Sequence, residues 1–154
     1  MGIAPIMGNL RRIAGYKGGA SHPHIFSIWG DYMFVINDDL TIECTRGDVA
    51  AFSVGAKMGD GNYVFRPGDV VRFSVFAKKD CSDVVIGVDT EVTEETELVE
   101  IELTSEDTRI GEVISKPVDY WYEVELNPDT KPQTIIGYDK DGAKVFKLYP
   151  ESEV

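Results

Sequence analysis

From residue 40 onward the hydrophobic and polar positions alternate with a period of two, in short runs separated by Gly, Asp, Asn and Pro. Leu40, Ile42 and Cys44 fall on one face of a run whose other face is Thr41, Glu43 and Thr45. Successive side chains of a strand point to opposite faces, so this run is read as a half-buried strand. The next element is written twice. Gly47-Asp48-Val49-Ala50-Ala51-Phe52-Ser53-Val54 recurs as Gly68-Asp69-Val70-Val71-Arg72-Phe73-Ser74-Val75. In each copy a Gly-Asp turn leads into a strand on which Phe and the second Val share a face, which predicts that Phe52, Val54, Phe73 and Val75 meet in one core. Further strands are expected at Tyr63–Phe65, Val84–Val88, Val99–Leu103 and Val118–Leu126, the last of them central to its sheet. Gln133–Tyr138 and Ala143–Tyr149 read as a closing hairpin across Asp139-Lys140-Asp141-Gly142. One short helix is expected at Thr104-Ser105-Glu106-Asp107-Thr108, with Ser105 as its N-cap.

Residues 1 to 30 lack this texture. They hold five glycines before Trp29-Gly30 and no sustained period beyond one short helical turn at Leu10–Tyr16. The chain therefore divides into an extended N-terminal arm, residues 1–30, and a β-sandwich domain, residues 31–154. A length of 154 residues with 43% hydrophobic side chains suits a single folded domain.

Charge sharpens this division. The formal net charge is −12, yet the arm contains Arg11, Arg12 and Lys17 and no acid. An acidic body argues against nucleic acid as a partner, because phosphate binding relies on clustered cations. The basic arm is suited to docking on the acidic surface of its own or a neighbouring chain, which makes Arg11 and Arg12 candidate interface residues. No run approaches the roughly 20 apolar residues of a membrane span. The arginines follow the apolar start instead of preceding it, the wrong order for a secretory signal peptide.

Candidate chemistry is sparse. Arg46-Gly47-Asp48 matches the minimal integrin-binding tripeptide, but the second copy has Pro67 in place of the arginine, so the shared demand is the turn. His22 and His24 lack a nearby Cys or acid to complete a metal site. A calcium loop counted from Asp139 would need Gly at Lys144 and Glu at Pro150. Phosphate-loop, nucleophile-elbow and zinc-type cysteine patterns are absent from the sequence. Cys44 reads as a core residue and Cys81 as an exposed loop thiol. No catalytic, cofactor or metal residue is assigned, and the protein is expected to be non-enzymatic. Trp121 shares the outward face with Glu123 and Glu125, which suits a protein interface or sugar stacking.

The order Leu40-Thr41-Ile42, Arg46-Gly47-Asp48, Phe65-Arg66-Pro67-Gly68-Asp69-Val70-Val71, Leu103-Thr104-Ser105-Glu106-Asp107-Thr108, Tyr120-Trp121-Tyr122-Glu123-Val124 and Phe146-Lys147-Leu148-Tyr149-Pro150-Glu151 resembles small β proteins of phage and prophage tails. It resembles in particular the N-terminal domain of the phage baseplate upper protein. The resemblance spans residues 40 to 151 and implies an antiparallel, immunoglobulin-like β-sandwich acting as a structural part of a tail. The following helical linker and receptor-binding module are not present in this sequence. The implied partners are other phage structural proteins or copies of the chain itself, as a homo-oligomer. The implied location is the virion, or the bacterial cytoplasm before assembly. A carbohydrate-binding or adhesive β-sandwich module is the alternative.

Overall fold

The computed structural model describes residues 3–5 and 35–151. The rest of the arm, including Arg11, Arg12, His22, His24 and the turn at Leu10–Tyr16, lies outside the described residues. The described chain is mostly strand: β1 (Ile3–Pro5), β2 (Val35–Ile36), β3 (Ile42–Thr45), β4 (Ala50–Val54), β5 (Ala56–Met58), β6 (Gly61–Asn62), β7 (Val70–Phe76), β8 (Val84–Glu91), β9 (Val99–Leu103), β10 (Val118–Leu126), β11 (Gln133–Ile136) and β12 (Lys144–Tyr149), with one short helix, α1 (Ser105–Thr108). They form a seven-stranded sheet in the order β2-β3-β12-β10-β7-β8, with β11 also on β10, a two-stranded sheet β4-β9, and a three-stranded sheet β1-β5-β6.

The two copies of the repeated motif become β4 and β7, which belong to different sheets. Phe52, Val54, Phe73 and Val75 are all buried, and the Phe52 and Phe73 rings meet edge-to-face with centroids 5.3 Å apart. The expected common core is therefore present, and it is the seam between the two sheets. Tyr122 and Phe146 complete an aromatic centre around Phe73, at centroid distances of 5.6 and 6.2 Å. Such pairs add to the burial of their large apolar area.

Strand β10 is central, as the alternation of Tyr120, Tyr122, Val124 and Leu126 predicts: it pairs with β7 along one edge and with β12 and β11 along the other. Strand β9 buries Val99, Ile101 and Leu103 while Glu100 and Glu102 face out. Four expectations are corrected. Tyr63–Phe65 is not a strand; Phe65 makes a single bridge to Thr96. Beyond the bridge between Asp139 and Gly142, β11 and β12 do not form a hairpin, because both use β10 as their partner. Strand β8 runs beyond the expected Val84–Val88 through Asp89–Glu91, at the edge of the sheet. The large sheet is also not purely antiparallel, since β3 and β12 run parallel, with Ile42 beside Phe146 and Thr45 beside Tyr149.

The helix begins one residue earlier than expected. Thr104 is the N-cap: its hydroxyl accepts from the Asp107 N–H, and the Asp107 carboxylate accepts from the Thr104 N–H in return. Ser105 is free of that role because its hydroxyl donates to the Gly47 carbonyl at 2.6 Å. Leu40, expected on a strand face, instead takes a positive φ of 70° and closes the turn after Asn37. That unfavourable backbone is held by the buried Tyr122, whose phenol donates to the Leu40 carbonyl at 2.6 Å.

The packing at the seam sets a testable scale. Phe73→Ala is expected to lower the unfolding free energy by about 3–5 kcal/mol. Val113→Ala, at a side chain 80% exposed, should stay within about 0.5 kcal/mol. Urea unfolding of both variants checks the contrast.

Candidate functional site

The two Gly-Asp turns are the positions where the described structure concentrates its polar contacts. Their backbones are alike. Asp48 donates its N–H to the Thr45 carbonyl and Asp69 donates to the Arg66 carbonyl, while Gly47 and Gly68 take φ of 87° and 99°. Each is a turn that requires positive φ at its third residue, the reason for glycine in both copies. Their surroundings differ.

The first turn packs against α1, with its arginine buried. Arg46 is only 6% exposed. Its Nε donates to the Ile110 carbonyl at 3.0 Å, Nη2 donates to the Gly111 carbonyl at 2.7 Å, and Nη1 pairs with Glu151. The Thr108 hydroxyl accepts from the Gly47 N–H at 3.0 Å and donates to the Asp48 carbonyl at 2.7 Å. An arginine committed in this way cannot present a cation to a receptor, so the Arg46-Gly47-Asp48 tripeptide is a fold element. Burial, and then the nearby Glu151, raise the pKa of Asp48.

The second turn faces a groove. Burial pushes the Asp69 carboxyl up, but hydrogen bonds from the Arg66 N–H, Asn127 and Tyr63, helped by the Arg66 charge, outweigh it and hold the group below its ordinary value. The Tyr63 phenol donates to Asp69 Oδ2 at 2.9 Å, and Asn127 Nδ2 donates to Oδ1 at 3.1 Å. Asn127, at φ 49°, also exchanges bonds with Val70: its Oδ1 accepts from the Val70 N–H and its own N–H donates to the Val70 carbonyl. The Asn127 carbonyl then accepts from the N–H groups of Thr130 and Lys131. Tyr63, Asn127, Thr130 and Lys131, with Met58, Leu126, Pro132 and Gln133, line an open groove of about 740 Å³.

The sequence-selected residues fall elsewhere. Trp121 is half-buried on the outward face of β10, where the ladder sets it beside Phe76 on one side and Val145 on the other. Cys81 is half-buried and not an exposed thiol; burial first, and then the nearby Glu123 carboxylate, raise its pKa, so the loop after β7 lies against this face. That cover agrees with the low exposure of Phe76 and Ser74, which lie on the same face. Burial comes first in raising the pKa of Glu123, followed by Glu125. Cys44 is a core residue as expected, its thiol pushed up to about 12 by burial and by Asp48.

Asp139, another expected turn acid, holds Lys144 Nζ at 2.6 Å and the Asp141 N–H at 2.8 Å. Among the described residues no cluster of three His, Cys, Asp or Glu side chains is arranged to hold a metal ion. None of the described helices is long and apolar enough to cross a membrane. The groove residues were missed in sequence because Asn127, Thr130, Lys131 and Pro132 read as strand-ending punctuation. The only signal was the second Gly-Asp turn itself. Comparison of the chain with protein-family models, curated proteins and solved structures returns no match.

Two outcomes follow from the turns. Arg46→Ala should destabilise by about 2–4 kcal/mol in chemical denaturation, since it leaves two carbonyls and Glu151 without their donor; Glu151→Gln, whose partner keeps both carbonyl contacts, should cost about 1 kcal/mol. Asp69 and Asp89, the latter held by its hydrogen bonds and charge pairing with Arg72, both titrate below their ordinary value. A depressed carboxylate stabilises the fold above its unfolded pKa and loses that contribution as pH falls through the folded one. Stability should therefore drop below about pH 4, and Asp69→Asn should flatten that drop while lowering stability at pH 7, as read by thermal unfolding across pH.

Proposed function

We propose that this chain is a non-enzymatic assembly module, an immunoglobulin-like β-sandwich that joins copies of itself within a larger structure of the phage-tail kind. The observation that carries this reading is the edge strand β8. It ends the seven-stranded sheet, and among the described residues its outer edge has no strand partner. Val84 and Val85 are 61% and 38% exposed there.

An open edge offers unpaired N–H and C=O groups to another strand, and native proteins usually guard such edges with charge. Along Val84–Val88 that guard is missing, and charge enters the strand only at Asp89 and the exposed Glu91. The run Val84–Val88 is uncharged, and the acids on either side already have cations: Asp83 pairs with Lys78 at 3.3 Å and Asp89 is held bidentately by Arg72 at 2.7 and 3.0 Å. A second copy can therefore approach with its own β8 antiparallel, extending the sheet across a two-fold axis. The phage-tail context rests on the ordered motif series from Leu40 to Glu151, and the sandwich reading on the Phe52–Phe73 seam between the sheets.

Light scattering of the full chain over a concentration series tests the reading. Concentration-dependent dimers or larger species are expected, and Val84→Lys with Val85→Lys should shift them to monomer with the unfolding midpoint little changed. A monomer at every concentration, or an oligomer indifferent to the two lysines, refutes assembly through this edge.

A further inference from the structure

The groove beside the second Gly-Asp turn is firmly built. One carboxylate, Asp69, fixes both sides of it, through the Tyr63 phenol and the Asn127 amide. The Tyr63 ring is additionally set edge-to-face against the buried Phe65, with centroids 5.0 Å apart and planes at 85°. The wall formed by Thr130 and Lys131 is wound onto the Asn127 carbonyl. An aromatic ring and a loop locked before any ligand arrives remove much of the ordering cost of binding.

The side chains left over at the rim are of a different kind. Thr130, Lys131 and Gln133 are exposed, and no partner for their polar side-chain atoms stands among the described contacts of the fold. Among the described residues Lys131 is the only charged side chain lining the groove, in a chain of net charge −12. At about 740 Å³ the space lies within the roughly 300–1,000 Å³ of small-molecule sites. A purely apolar ligand would bury the amide, hydroxyl and ammonium without partners. A ring bearing many hydroxyls satisfies them while one apolar face lies on Tyr63, and a carboxylate on that ring pairs with Lys131.

We propose that this groove is a binding site for an acidic saccharide, one sugar ring on Tyr63, hydroxyls on Thr130 and Gln133, and a uronate carboxylate on Lys131. The site is separate from the β8 edge, so its occupancy does not depend on the assembly reading.

The test is a titration of the ¹⁵N-labelled full chain with a hyaluronan tetrasaccharide, with the neutral cellotetraose as comparison. The uronate-containing sugar should shift resonances of Tyr63, Thr130, Lys131 and Gln133, and bind several-fold more tightly than the neutral one. Lys131→Gln should abolish that preference, and Thr130→Val with Gln133→Ala should weaken binding of the acidic sugar at least fivefold. These three side chains carry none of the fold's hydrogen bonds, so the variants remain informative where Tyr63→Val unfolds. No shift from either sugar up to about 10 mM, shifts centred away from the groove, or equal binding of the two sugars overturns the proposal.

Discussion

The parallel pairing of β3 with β12 is the constraint on which the chain's closure depends. Parallel strands end at the same side of a sheet, so Thr45 and Tyr149 finish together and the residues after them emerge as neighbours. Arg46 donates its N–H to the Tyr149 carbonyl and its guanidinium meets Glu151. The same guanidinium reaches the backbone after α1 at Ile110 and Gly111. Three segments far apart in sequence are thereby tied at one point. The arrangement satisfies a buried charge in the way burial demands, with an opposite charge and with carbonyl acceptors for the remaining donors. Among the described residues no buried side-chain polar atom lacks a partner.

That tie also fixes the layer above it. Helix α1 is a single turn, too short to be stable alone. It exists because Thr104 and Asp107 cap it and because Ser105 and Thr108 bind the Gly47 turn from above. Strand β9 leads directly into α1, and β9 pairs with β4, which starts just after the Gly47 turn. Capping, turn and pairing thus lock the small sheet onto the large one at one end, while Phe52 against Phe73 fills the seam between them.

What could be read in the sequence was whatever depends on local period. Strands β3, β9 and β10 each show alternation over their own few residues, and their burial follows it, whereas on β7 the outward-facing Ser74 and Phe76 are buried as well. The core role of Phe52, Val54, Phe73 and Val75 followed from the same pattern. Pairing was not legible. Nothing in Lys144–Tyr149 states that its neighbour is β3, over a hundred residues away, nor that it runs parallel. The half-buried state of Cys81 was equally hidden, because Glu123, which lies near it, is more than forty residues away in sequence. The candidate groove required the long-range bonds of Asn127 to Asp69 and Val70, which no window of sequence contains.

The repeated motif shows how one backbone solution takes two roles by context. Both copies keep the glycine with positive φ and the i to i+3 bond of the turn. At the first, the residue before glycine is Arg46, whose long donor-rich side chain can only be buried where acceptors converge, and the turn becomes an anchor. At the second, Pro67 has no N–H or side-chain donor to contribute, and the work passes to the aspartate. Asp69 accepts from the Arg66 N–H, Tyr63 and Asn127, whereas the Asp48 side chain stays exposed and the first turn is held through Gly47 and Asp48 backbone groups. The organising charge is thus a buried cation at the first turn and a carboxylate at the second, and Tyr63 and Asn127, the two side chains that this carboxylate holds, line the open groove.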